Sequence, residues 1–203
     1  IDKQSRLYYN KKLTNIVFMG MGEPLMNYNN VLKAIEKITS EEGLGMSPKR
    51  IVVSTSGVPK MIKKMAEDEV KFNLAVSLHS AREEIRTQIM PFNETFPLKD
   101  LREALKFWYT KTKRQITYEY VVWDGINDTV KDIQALIEFC KFAPSKVNII
   151  EYNPIDDGEF QQAKRSTVDC YVSMLEANNI TVTVRKSRGK DIDAACGQLA
   201  NKS

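Results

Sequence analysis

Short β-branched and apolar runs alternate along this chain with stretches in which apolar residues recur every three or four positions. The runs fall at residues 16–19, 50–53, 73–77, 116–122, 147–151 and 180–184. Between them, Val31, Leu32, Ile35 and Ile38 fall on one helical face, as do Leu98, Leu101, Leu105 and Trp108. Ile133, Ile137 and Cys140 make a third stripe, and Val168, Tyr171, Val172 and Leu175 a fourth. Strands alternating with helices predict parallel strands joined by crossover helices, an α/β fold. No internal repeat, low-complexity tract or linker breaks the rhythm, which fits one domain over residues 1–203.

The residues just after each run narrow the picture. The first run leads into Gly20-Met21-Gly22-Glu23-Pro24, the second into Ser54-Thr55-Ser56-Gly57, and the third into Leu78-His79-Ser80 beyond Ser77. The fourth leads into Trp123-Asp124-Gly125-Ile126-Asn127-Asp128 and the fifth into Asn153-Pro154. Small, hydrogen-bonding residues thus gather at the carboxyl ends of five successive strands, where a parallel α/β barrel or open sheet builds its ligand site. Turn chemistry accounts equally well for any one cluster alone. Their recurrence is what predicts a site.

Gly20 and Gly22 let backbone approach a ligand closely, and Glu23 sets a carboxylate beside them, a pairing that suits an ammonium group. Ser54, Ser56 and Ser77 add neutral hydroxyls for ribose or carboxylate oxygens. GMGEP is neither a GxxxxGK[ST] loop nor a GxGxxG fingerprint, which disfavours triphosphate and dinucleotide sites. His79 is the only histidine, so it is read as orienting a ligand or as a structural donor rather than as one ligand of a multi-histidine metal site. Tyr118, Tyr120 and Trp123 either pack their strand, the commoner role, or stack a base. Lys49 and Lys146 precede their strands, the wrong end for a Schiff-base lyase or aldolase barrel.

Composition adds bounds. With 42% apolar residues in 203, the chain can bury one sizeable core. A formal charge of +4, from 30 basic and 26 acidic residues, suits a nucleic-acid partner as well as many ordinary enzymes. The longest apolar runs are too short to cross a bilayer and no basic-then-apolar leader opens the chain, so a soluble, cytoplasmic protein without a membrane partner is expected. Cys140, Cys170 and Cys196 lie too far apart for a CxxC-type chelate and suit a reducing compartment. The first two fall on predicted helices among apolar neighbours and are expected to pack. Cys196 has small neighbours, with Arg185, Lys186, Arg188 and Lys190 upstream, and is either a reactive thiol favoured as thiolate or a small surface residue. That basic cluster is either a solvated edge or a phosphate contact.

Five segments together resemble a known family: VFMGMGEPLMNYNNV from Val17, VSTSGVP from Val53, LAVSLHS from Leu74, YNP from Tyr152, and VRKSRGKDIDAACGQLA from Val184. The family is the radical S-adenosylmethionine (SAM) adenine C2 methyltransferases of 23S ribosomal RNA and transfer RNA, the RlmN and Cfr group. The last segment is the most specific of the five. The resemblance implies a partial (β/α) barrel of the radical-SAM, TIM-barrel-like type over residues 1–203, with 185–203 as the segment carrying a methyl-accepting cysteine, Cys196. It implies that Gly22 and Glu23 contact the methionine part of SAM, while Ser54, Ser77, Leu78, His79 and Asn153 line the rest of its pocket. In that family one SAM methylates the cysteine by polar displacement. A second SAM is cleaved to a 5′-deoxyadenosyl radical that activates the methyl group for addition to adenine. The cofactors implied are SAM and a 4Fe-4S cluster. The partners implied are 23S rRNA, tRNA and a reductant such as flavodoxin.

One departure stands out. The family holds its cluster with a CxxxCxxC motif, and this sequence has none. The expectation is therefore a chain that begins after that loop, lacks the first strand and cannot methylate RNA alone. An unpaired sheet edge, with marginal stability or self-association, is expected to result. The Cfr-type reaction at adenine C8 is the nearest alternative. A non-catalytic SAM-binding or RNA-binding module is the alternative from another class.

Overall fold

A computed structural model describes residues 1–153 and 160–186. A short helix α1 (Asp2–Tyr9) leads into β1 (Ile16–Phe18), a single 3-10 turn at Pro24–Asn27 and α2 (Tyr28–Thr39). Next come β2 (Ile51–Thr55), α3 (Pro59–Glu67) and β3 (Asn73–Ser77). Three helices come in succession, α4 (Glu83–Ile89), α5 (Phe92–Thr95) and α6 (Leu98–Thr112). The remainder alternates regularly through β4 (Ile116–Val121), α7 (Val130–Cys140), β5 (Ser145–Ile150), α8 (Arg165–Ala177) and β6 (Thr181–Arg185).

The six strands form one sheet in the order β1-β2-β3-β4-β5-β6, and every neighbouring pair is parallel. A doubly wound sheet reverses its strand order part-way; this one never does. Right-handed crossovers that always step in one direction lay all helices on one face, as in the wall of a (β/α) barrel. β1 and β6 are the two edges among the described residues, so the wall is open. On the β1 edge Val17 is exposed. No helix among the described residues is long and apolar enough to cross a membrane.

The core lies between sheet and helices. Ile51, Val53, Leu74, Val76, Tyr118, Tyr120, Val147 and Ile149 point from the strands into it and meet Ile62, Met65, Leu101, Leu105, Trp108, Leu136 and Tyr171 from the helices. The predicted stripes supply much of this layer, with Val31, Ile35, Leu98, Ile133, Ile137, Val168 and Leu175 buried as well and Leu32, Ile38 and Val172 partly buried against it. Cys140 is buried as expected, and burial pushes its thiol up to about 12. Cys170 is a correction. It lies exposed on α8, with its thiol 3.9 Å from Met174 Sδ one turn on, because the buried positions of that helix are Val168, Tyr171 and Leu175.

The opposite face carries a different set. Registered across β3 to β6, Ser77, Glu119, Asn148 and Thr183 form one cross-strand row. Ser54, Ala75, Thr117, Lys146 and Thr181 form the row below. Polar side chains thus alternate with core residues along β4 and β5 and with valines along β6, giving the sheet one apolar and one polar face.

Candidate functional site

The carboxyl ends of the strands surround a cavity of about 320 Å³. Its lining includes Gly20, Gly22 and Glu23 after β1, Ser54, Thr55 and Ser56 at β2, and Ser77 and His79 at β3. Glu119 and Trp123 of the β4 region and Tyr152 and Asn153 after β5 complete the opposite wall. Of the residues singled out from the sequence, Gly22, Glu23, Ser54, Ser77, His79 and Asn153 therefore meet around one space. Leu78 does not line it, because its side chain is fully buried in the helix-facing core. Its main chain still contributes, donating to the Glu119 carbonyl at 3.0 Å. Cys196 lies outside the described residues.

The first rim is built on a fixed carboxylate. Glu23 Oε1 accepts from the Leu25 N–H at 3.0 Å, which caps the 3-10 turn, and from the Thr55 hydroxyl at 2.8 Å. Its Oε2 accepts from the Ser56 N–H at 2.7 Å. One carboxylate thus ties the end of β1 to the end of β2 and keeps an acceptor position on Oε2. Gly22 approaches this point at φ 87°, a left-handed conformation that other residues adopt only with strain. Gly57, at φ 107°, turns β2 into α3, and a Cβ there would stand 2.9 Å from Leu101 Cδ1.

The second rim is built on His79. It holds φ 55° without being glycine, inside a tight turn closed by the Ser80 N–H donating to the Leu78 carbonyl at 2.6 Å. Such strain persists only where surroundings over-determine it, and the surroundings are specific. Nδ1 accepts from the Val121 N–H at 3.2 Å, which leaves the ring proton on Nε2. Asn127, fully buried, donates to the His79 carbonyl at 2.7 Å and the Val121 carbonyl at 2.9 Å, and accepts from the Trp123 N–H at 2.7 Å. Burial first, then the charge of Arg86, pushes the imidazole down to about 4, so it is neutral near pH 7.

Arg86 was not legible as part of this site. It is fully buried on α4 and pairs with no carboxylate among the described residues; its guanidinium donates to main-chain carbonyls beneath the rim. These are Ser56 at 2.6 Å, Leu78 at 3.1 Å and Ser77 at 3.3 Å, and Asn93 Oδ1 accepts at 2.5 Å. Burial brings it down to about 10, still a cation at neutral pH. Glu119 was missed as well, although a lone glutamate inside ITYEYV is a visible signal. Of the three aromatic residues considered for stacking, Tyr118 and Tyr120 pack into the core and Trp123 lines the cavity. Trp123 stands edge-on to His79 at 5.7 Å and to Tyr152 at 6.1 Å between ring centroids. Among the described residues the buried Trp123 Nε1 and Tyr152 hydroxyl have no hydrogen-bond partner.

Comparison with known proteins sharpens the reading. A probable dual-specificity RNA methyltransferase RlmN of Christiangramia forsetii is 75% identical over 203 residues, covering 100% of this chain and 58% of that protein. The RlmN of Salinibacter ruber, likewise called probable, is 48% identical over 204 residues, covering 100% and 55%. By sequence the chain is similar over its whole length to RNA methyltransferases of the RlmN group. It spans a little over half the length of those RlmN relatives. The crystal structure of a radical SAM methyltransferase from Sphaerobacter thermophilus superposes with a TM-score of 0.93 at 36% identity, over 97% of this chain and 57% of that one. A domain of the pyruvate-formate lyase-activating enzyme from Bacteroides vulgatus shares the fold alone, with a TM-score of 0.65 at 14% identity over 85% of this chain and 99% of that domain. No protein-family profile matches the chain.

Proposed function

We propose that this chain forms the SAM-binding barrel wall of a radical-SAM RNA methyltransferase that acts at C2 of adenine in 23S rRNA and tRNA. The observation that carries the reading is the Glu23 carboxylate, held by Leu25, Thr55 and Ser56 at the mouth of a cavity whose lining also includes hydroxyls, a neutral imidazole, aromatic rings and, on the far wall, Glu119 and Glu151. That donor set suits a zwitterionic nucleoside without phosphate. Glu23 accepts from the ammonium group through its remaining Oε2 position, beside the backbone of Gly22. Ser54, Ser77 and Asn153 take the polar oxygens and ribose, and Nε2 of His79 donates. The rings of Trp123 and Tyr152 offer the purine an aromatic wall.

Bound SAM supplies the methyl group and the radical chemistry of its class. The segment 185–203 carries the methyl-accepting thiol, Cys196, with the basic residues around it favouring the thiolate. Among the described residues no group of three or more His, Cys, Asp or Glu side chains could hold a metal, so they do not fit a 4Fe-4S cluster. The cluster and a flavodoxin-type reductant belong to the proposal for the longer protein.

Calorimetry of the full-length protein with SAM tests the reading. Glu23→Gln, which loses the charge facing the ammonium, is expected to weaken binding at least about tenfold, as a charge-assisted hydrogen bond is worth about 1.5–3 kcal/mol. Unchanged affinity would remove Glu23 from the site. Mass spectrometry of RNA from cells carrying the intact gene is expected to show 2-methyladenosine; 8-methyladenosine in its place would assign the Cfr-type reaction.

A further inference from the structure

Glu119 is a carboxylate in the cavity wall that the reading above leaves without a ligand group. It occupies the middle of β4, is 3% exposed and belongs to the lining. In register it stands beside Ser77 of β3 on one side and Asn148 of β5 on the other. Its main-chain carbonyl accepts from the N–H groups of Leu78 at 3.0 Å and His79 at 3.4 Å, which fixes it against the β3 rim. Oε1 accepts from Asn148 Nδ2 at 2.9 Å, and Oε2 lies 3.5 Å from Arg185 Nη1 on β6, at the limit of hydrogen-bond length. Each carboxylate oxygen can accept more than once, so both keep a place for a further donor. Burial raises the pKa of Glu119, against the pull of Asn148, Arg185 and Lys146. A glutamine would satisfy Asn148 without burying a charge, so the Asn148 bond alone does not account for a carboxylate here.

The order of the lining residues along the sheet identifies the missing donor. Glu23 stands at the β1 end of the cavity, whereas Trp123 and Tyr152 follow β4 and β5. In SAM the ribose lies between the amino-acid chain and the purine. With the ammonium at Glu23 and the purine against the two rings, the sugar falls between them, where Ser77 and Glu119 stand side by side. A carboxylate only accepts, and the vicinal diol of a ribose offers it two O–H donors. An acidic side chain holds the ribose of a dinucleotide by the same pairing. We propose that Glu119 is a specificity-determining residue whose carboxylate accepts from the ribose diol of SAM, beside the hydroxyl of Ser77. It thereby selects ribonucleosides over deoxynucleosides. This inference rests on the reading of the cavity as a SAM site.

Calorimetry of the full-length protein, in the absence of reductant, with SAM and with its 2′-deoxy and 3′-deoxy analogues tests it. At least one analogue is expected to bind the unmodified protein roughly tenfold more weakly than SAM, the loss of one charge-assisted hydrogen bond. Glu119→Gln, which keeps an acceptor for Asn148, is expected to weaken SAM by a similar factor while binding that analogue within about twofold of the unmodified protein. A purely structural Glu119 would lower the affinity for all three ligands alike, and that pattern would overturn the inference. So would equal affinity of the unmodified protein for SAM and both analogues, or unchanged SAM affinity in Glu119→Gln. Absence of SAM binding by the unmodified protein would instead overturn the reading of the cavity, and this inference with it.

Discussion

The two faces of the sheet use the same strands for opposite purposes. Toward the helices, residues such as Val53, Leu74, Tyr118 and Val147 are fully buried, and nearly every contact is hydrocarbon. Toward the other side, Ser54, Ser77, Glu119 and Asn148 sit one residue out of step and present oxygen, nitrogen and charge. The alternation of side chains along a strand lets each face carry its own chemistry without disturbing the other. Stability resides on one side and binding groups on the other, and Arg86 joins them from α4, buried in the first layer while holding the carbonyls of the second.

This division is open to direct attack. The largest effect is expected on the helix side: Trp108→Ala, which empties a fully buried site on α6, should cost about 4 kcal/mol in urea unfolding. The fraction that stays folded should bind SAM as before. A large loss of affinity in that folded fraction would show that the two faces are coupled through packing.

Arg86→Met comes next. It leaves the carbonyls of Ser56, Ser77 and Leu78 without their donor, and stranding buried acceptors is expected to cost about 3 kcal/mol. Unlike Trp108→Ala, it should also weaken SAM binding, because those carbonyls belong to the rim. Unfolding and calorimetry on the same sample separate the two effects.

The smallest effect is titration. His79 is held at about 4 in the folded chain, below its usual 6.5, so between those values the unfolded chain takes up a proton that the folded one refuses. Its contribution is complete above pH 6.5 and fades as pH falls toward 4. Urea titrations at several pH values on the unmodified chain and on His79→Gln check this, and the difference between the two curves should carry that slope. Parallel curves would mean that His79 is charged in the fold.

Much of the helix side was legible in the sequence, and for a local reason. β3 falls at residues 73–77 as predicted, and the other strands shift by one or two residues at their ends, because β-branched runs and helical stripes are nearest-neighbour signals. Helices α1, α4 and α5 went unpredicted: α1 buries none of its residues, and α4 and α5 bury one each, Arg86 and Asn93, neither of them apolar. On the polar side, Glu23, Ser54 and Ser77 stood out because small polar residues directly succeed strand runs. Arg86 did not, and Asn127 only as one polar residue of the cluster after the fourth run, because what marks each is three side-chain hydrogen bonds to main-chain atoms, one of them far off in sequence, which no local pattern records.

Asn127 has a consequence for recognition itself. Its amide spends one acceptor and two donors on the main chain of Trp123, Val121 and His79, and its own carbonyl takes the Tyr171 hydroxyl at 2.5 Å. The β3 and β4 loops are therefore locked together before any ligand arrives. A molecule entering from that flank meets a surface whose freezing cost was met when the protein folded, so its contacts there convert to affinity with little entropic discount.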